Sequence, residues 1–377
     1  MRTAIVSDLH LGAAGGEDVL RDAGVRRVLL AEIAAADRVV LLGDAVELRD
    51  LPLGVALRSA RPFFEELGAA LAGREVVLVP GNHDHRFAEP LLDRLSLAGD
   101  GGLDLGLEHL YDPSPGPSGE LDRWLGPARL RLAYPGIWLR EDVYATHGQY
   151  MDPHLSLPRA ECLAAALVMR FSGPIPDPAT PADYERVLRP IYGLGWGIAQ
   201  ARPVGRAEAR RPSEAAWRRL SGDEDGGGSG RRLAGRAIRA AFPVAIRGIN
   251  RALRADFAAD VSAAAISRSG VEAGTELAAR LGVDGGHVIT GHTHRGGPGE
   301  DEAPWPLRGG GQLHNTGNWI FASVFHHPGR PPGPYWPGTV TWLEDDAAPR
   351  RVRLLSEHSH AEMGAMVESA ASDRDLG

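Results

Sequence analysis

Val76-Val77-Leu78-Val79-Pro80-Gly81-Asn82-His83-Asp84-His85-Arg86 decides how this chain is read. Four apolar residues, three of them β-branched, make the kind of run that sits inside a sheet, and Pro80-Gly81 stops it. An amide, an imidazole and a carboxylate then follow at consecutive positions. Open α/β sheets place their chemistry in this way, just beyond the carboxyl ends of their strands. A polar turn would look the same if the event occurred once, because Gly-Asn and His-Asp pairs make good turns. It occurs four more times.

Toward the N-terminus, residues 3–7 read as a short buried strand ending in Asp8-Leu9-His10-Leu11-Gly12, and Val39-Val40-Leu41-Leu42 as another ending in Gly43-Asp44. Val19, Leu20, Val28, Leu29 and Ile33 recur at helical spacing, which predicts a helix within 17–36, and a second covers 54–72. This βαβαβ alternation predicts an α/β fold with a parallel sheet and covering helices. Toward the C-terminus, 86–95 reads as a helix and 99–119 as a Gly/Pro-rich loop. Strands follow near 129–134 and 142–146, the latter ending in Thr146-His147-Gly148. Residues 155–281 change character to Ala/Leu/Arg stretches at helical period, interrupted near 221–231 by a Gly-rich, acidic run with the composition of a flexible linker. Strand signal returns at His287-Val288-Ile289-Thr290, ends in Gly291-His292-Thr293-His294, and recurs near 312–316 and 338–343. The organisation expected is one α/β domain in two parts, 1–154 and 282–355, with a helical insertion or cap at 155–281 and a loose tail at 356–377.

Composition narrows the chemistry. Of 377 residues 43% are apolar, enough for a sizeable core. All 41 basic residues are Arg, so Schiff-base chemistry and a P-loop lysine are excluded. The single cysteine, Cys162, excludes internal disulfides and a Cys-based zinc cluster; its apolar surroundings mark it as core rather than nucleophile. A net charge of -8 does not favour non-specific binding to nucleic acid. No transmembrane run or signal-peptide pattern stands out, and a cytoplasmic protein is expected.

The five strand ends present Asp8 and His10; Asp44; Asn82 with His83; His147; and His292 with His294. In Asp-Leu-His and His-Thr-His the outer side chains share a face, because extended chain has a period of two. Oxygen and imidazole ligands without thiolate suit Mn, Fe, Zn, Co or Ni. One histidine after a strand is an ordinary turn residue. Five such ends are a pattern.

Asp8-x-His10, Gly43-Asp44, Gly81-Asn82-His83-Asp84, His147-Gly148 and Gly291-His292-Thr293-His294 resemble, in order and spacing, the five motifs of the calcineurin-like metallophosphoesterases. The resemblance implies a four-layer αββα sandwich holding two divalent ions, Mn foremost. It implies one ion on Asp8, His10, Asp44 and His294, and the other on Asp44, Asn82, His147 and His292, with Asp44 shared. His83 would face the substrate phosphate, and Asp84 would hydrogen-bond the far side of its imidazole. A hydroxide bridging the ions would attack phosphorus in line while His83 assists the leaving group. Ser7-Asp8-Leu9-His10-Leu11-Gly12, His292-Thr293-His294-Arg295 and Asn315-Thr316-Gly317-Asn318-Trp319 are similar to the UDP-2,3-diacylglucosamine hydrolase group. That group typically carries Arg where this chain has His83.

His85, Arg86 and Arg295 flank the motifs as candidate contacts to a second phosphate or the leaving group. The stretch 231–254 has Arg side chains on one side, apolar residues on the other and no acid, so it reads either as a helix packed on the cap or as a peripheral membrane contact. The expected partner is a phosphorylated small molecule or a lipid-linked phosphate. Two alternatives stand beside the hydrolase: a nuclease of the same superfamily, and a catalytically inactive scaffold that keeps the fold.

Overall fold

β-Branched runs recur along the chain, and each becomes a strand. The structure, a computed structural model, describes residues 1–99, 103, 105, 112–113, 115–202, 229–323, 326 and 328–372, with the side chains of 229–240 and 369–372 left aside. Its strands are β1 Arg2–Val6, β2 Arg38–Leu42, β3 Glu75–Val79, β4 Arg129–Leu132, β5 Gly136–Arg140, β6 Val143–Thr146, β7 His287–Thr290, β8 Trp305–Pro306, β9 Gln312–Asn315, β10 Thr339–Glu344 and β11 Arg350–Arg353. They form two sheets, ordered β11-β10-β1-β2-β3-β4 and β5-β6-β7-β9-β8. The run β1 to β4 is parallel, with Ile5 opposite Val40 and Val40 opposite Val77. In the second sheet β6, β7 and β9 are parallel.

Strand periodicity sorts the side chains into layers. Ile5, Val40, Leu42, Val77 and Val79 point to a core shared with Ile137, Val143, Ala145 and Ile289 of the second sheet, so the two sheets pack face to face. Their neighbours Val6, Val39, Leu41, Val76 and Leu78 point the other way. There they meet helices α1 Ala23–Ile33, α2 Leu53–Ala70 and, further along the chain beyond α3 Glu89–Ala98, α4 Pro117–Leu125. Each fully buried Val, Leu or Ile stabilises the fold by about 1.5–3 kcal/mol. Continuous apolar runs are what a sheet covered on both faces requires.

The insertion supplies α5 Ala160–Ser172, α6 Pro181–Gln200, α7 Ser229–Leu253 and α8 Ala263–Leu281. Tyr184, Leu188, Ala165 and Ile246 join in its own core. Cys162 is buried there. Helix α8 does more than cap: Ala278 packs with Tyr144, Val288 and Leu313, forming the outer layer of the second sheet. Four layers result, helix, sheet, sheet, helix. Within α7, Phe242, Ile246, Ile249 and Leu253 face that insertion core while Arg247 and Arg251 stay exposed. The N-terminal side chains of the 231–254 stretch and the 221–228 part of the expected linker lie outside the described residues. No helix among the described residues is long and apolar enough to cross a membrane.

The expected loose tail is corrected. Residues His360–Ser372 form helix α9, and Met363 is fully buried in the large core beside α1 and α2. Its start is a capping box: Ser359 N–H donates to Glu362 Oε2 at 2.7 Å, and Glu362 N–H donates back to Ser359 Oγ at 3.2 Å.

Candidate metal centre

Three neighbouring parallel strands of one sheet and two of the other end at the same place. Asp8 and His10 follow β1, Asp44 follows β2, Asn82 and His83 follow β3, His147 follows β6, and His292 and His294 follow β7. The chain turns sharply at these ends. Asp8, His10, Asp44, His292 and His294 all have φ between 44° and 65°, in the left-handed region. Non-glycine residues there cost about 1–3 kcal/mol each and persist where surrounding structure over-determines them. Five strained residues in one cluster mark a site whose geometry is held for a purpose. Gly43, at φ 83°, is required as glycine for a second reason, since a Cβ would collide with the His147 ring.

Backbone amides tie the strand ends together, the first of these bonds across the two sheets. His292 N–H donates to Asp8 Oδ2 at 3.1 Å, Gly291 N–H donates to His147 O at 2.8 Å, and His83 N–H donates to Asp44 Oδ1 at 2.8 Å. Ser7 Oγ bonds both the Asp8 carboxylate and Thr316 Oγ1, the latter at 2.6 Å. Asn318 Nδ2 donates to His294 O at 2.7 Å. The Asn315–Trp319 segment therefore braces two of the ligand loops.

The side chains converge. Asp8, His10 and His294 place ligand atoms within 4.8 Å of one another, and so do Asp44, His147 and His292. His10, Asp44 and His83 form a third such group. Asp44 Oδ2 lies 3.6 Å from His10 Nε2 and 3.2 Å from His147 Nε2, between the first two groups. Asn82 Oδ1 lies 3.3 Å from His147 Nε2 and 3.0 Å from His292 Nδ1. Burial alone would raise the Asp44 carboxyl, but the His147 and His83 imidazoles beside it hold it well below its usual range.

The far ring nitrogens are held from outside the cluster. His10 Nδ1 lies 2.9 Å from Glu47 Oε2, His147 Nδ1 lies 2.9 Å from Leu42 O, and His292 Nε2 lies 2.7 Å from Asp152 Oδ1. Carbonyls and carboxylates only accept, so those nitrogens carry protons and the opposite nitrogen of each ring faces the cluster; there, against the effect of burial, the Asp44 and Asp8 charges raise the His147 imidazole to about 10. His10 Nε2 faces His294 Nε2 at 3.2 Å, and burial lowers His294 to about 4, so it stays neutral near pH 7. Imidazoles held this way beside buried carboxylates suit divalent cations: histidine ligands that donate their other N–H to a carboxylate or carbonyl are the usual outer arrangement of metal sites. The residues present fit such a group.

Two expectations are corrected. Asp84 does not orient His83. The fully buried Asp84 carboxylate turns under the loop to accept from Gly81 N–H at 2.6 Å, Ala45 N–H at 2.7 Å and Asp44 N–H at 3.2 Å. Burial and the Asp44 charge raise it to about 6. The orienting carboxylate is Glu47, whose Oε2 lies 2.7 Å from His83 Nδ1 and which also holds His10. Nor is His85 placed for a ligand: it is 3% exposed and lies between Glu185, at 3.1 Å, and Glu89, at 3.3 Å. Arg86 stacks over Trp196, and Arg295 stacks over Trp305 while bonding Glu302 at 2.7 Å.

Glu47 and Asp152 were absent from the sequence-based ligand set. Glu47 had a signal, a carboxylate three residues after Asp44. Asp152, five residues after His147 beyond a short 3-10 turn, had none.

No curated protein matches the chain closely enough to count as a relative. Residues 1–165, which supply Asp8, His10, Asp44, Asn82 and His147 to this cluster, match the family model described as calcineurin-like phosphoesterase.

Proposed function

We propose that the protein hydrolyses a phosphoester or pyrophosphate bond at a pair of divalent ions, Mn foremost. The observation that carries this reading is the placement of Asp44 Oδ2 between His10 and His147, where one carboxylate serves both ligand groups. Asp8, His10 and His294 would hold one ion with Asp44; Asn82, His147 and His292 would hold the other. When bound, such a pair neutralises phosphoryl oxygens and lowers the pKa of water toward neutrality.

The chain's own residues do the rest. Glu47 fixes His83 with Nδ1 protonated and leaves Nε2 free. The His83 side chain is 20% exposed against 0% for His147, so of the two it is the one a substrate can reach. A protonated imidazole there stabilises charge on the phosphoryl group and delivers a proton to the departing oxygen. Asp84 shapes the floor by tying the loops after β2 and β3 together, a structural part.

The substrate class proposed is a phosphorylated small molecule or a lipid-linked phosphate, as the local similarity to UDP-2,3-diacylglucosamine hydrolases suggests. The test is a panel of phosphomonoesters, phosphodiesters and pyrophosphates with Mn²⁺, read through phosphate or nucleotide release. Turnover of one class with the others silent is expected. Silence across the whole panel in metal-loaded protein would favour the scaffold reading, and cleavage of oligonucleotides alone would favour the nuclease.

A further inference from the structure

The insertion reaches the candidate centre through one turn of α6. Asp152, which holds His292 Nε2 at 2.7 Å, lies in the short segment 149–154. Two residues before it, the Tyr150 hydroxyl donates to Glu185 Oε1 at 2.6 Å. The Tyr150 ring stacks on Tyr184, with centroids 4.8 Å apart and planes 8° from parallel. Two residues after it, His154 Nε2 lies 2.9 Å from the Tyr184 hydroxyl. Adjacent residues of α6 thus grip the chain on both sides of Asp152. Glu185 also accepts from the Tyr134 hydroxyl at the end of β4 and lies 3.1 Å from His85 Nε2, two residues beyond His83. All of these groups but His154 are buried.

A buried carboxylate with three donors is a satisfied network, and removing one partner leaves the others uncompensated. Its position is more telling than its strength. Nothing about holding the insertion to the domain requires the contacts to bracket Asp152, since α5, α7 and α8 already share an apolar core with α6.

We infer that Tyr184 and Glu185 are positioning residues for the metal centre: they fix Asp152, and through it the tautomer and aim of His292. The insertion is on this account a working part of the centre. The inference rests on the metal-centre reading above. Losing a group that orients a metal ligand costs about 10–100-fold in metal affinity, and Glu185 acts one step further out, so its effect falls at the lower end.

The experiment titrates the full chain with Mn²⁺ alone by calorimetry and follows thermal unfolding separately. Glu185→Gln is expected to weaken one of the two Mn²⁺ equivalents about tenfold while the protein remains folded. Asp152→Asn should weaken the same equivalent, and the double variant should bind no worse than Asp152→Asn, because both changes act through His292. Tyr184→Phe keeps the stack and loses only the hydroxyl on His154; it should shift affinity in the same direction, and it decides the matter if Glu185→Gln does not fold. Folded variants with wild-type Mn²⁺ affinity, or a double variant whose loss is the product of the two singles, would overturn the inference while leaving the metal centre standing. A wild-type chain that takes up no Mn²⁺ would instead remove the metal centre and the inference with it.

Discussion

Asp44→Asn is expected to abolish hydrolysis of an aryl phosphodiester in the presence of Mn²⁺, and to weaken Mn²⁺ binding by more than about 100-fold, the upper end for changes made outside the ligand shell. The reason is geometric. Asp44 Oδ2 is within 3.6 Å of imidazole nitrogens belonging to both ligand groups, so one substitution removes an oxygen from each. An amide occupies nearly the same volume, which keeps the fold, but it carries no charge. Asn at this position would also turn its N–H₂ toward the imidazoles of His10 and His147. The measurement is kcat together with Mn²⁺ stoichiometry and a melting curve. A folded variant that still turns over the diester at the wild-type rate would contradict the assignment.

His83→Ala is expected to lower kcat about 10²–10⁴-fold on esters with alkyl leaving groups, the usual worth of a general acid. On a nitrophenyl ester the loss should be much smaller, because nitrophenolate departs without a proton. The contrast between leaving groups matters more than either number. His83 touches Glu47 through Nδ1, and its side chain is more exposed than that of His147. Mn²⁺ binding should change little in this variant. Equal losses on both esters would mean that His83 acts by charge or placement and donates no proton; no loss on either would remove it from the reaction.

What the sequence made legible was whatever depended on a local run of residues. β1, β2 and β3 were readable because each is apolar on both faces and stops at a polar cluster; Asp8, His10, His292 and His294 reach the site through left-handed backbone rather than the extended alternation expected of them. Five ends with the same grammar located the site before any fold was known. The orienting carboxylates were harder. Glu47 sits in Ala45-Val46-Glu47-Leu48, which looks like the start of an ordinary helix, and its job depends on two imidazoles from different strands. Asp84 was the partner implied by the family resemblance, but its carboxylate is taken up by the amides of Gly81, Asp44 and Ala45. Asp152 depends on a contact between residues 140 positions apart. The last helix was missed for a different reason. Its Ala and Ser content hides the apolar period, although Ser359-His360-Ala361-Glu362 was a capping box in plain view.

Metal content tests the account most directly. Purified chain, stripped with chelator and dialysed against excess Mn²⁺, is expected to retain two equivalents, and Asp44→Asn to retain fewer. Wild-type protein that is folded and holds none would contradict the central claim that these strand ends form a metal centre.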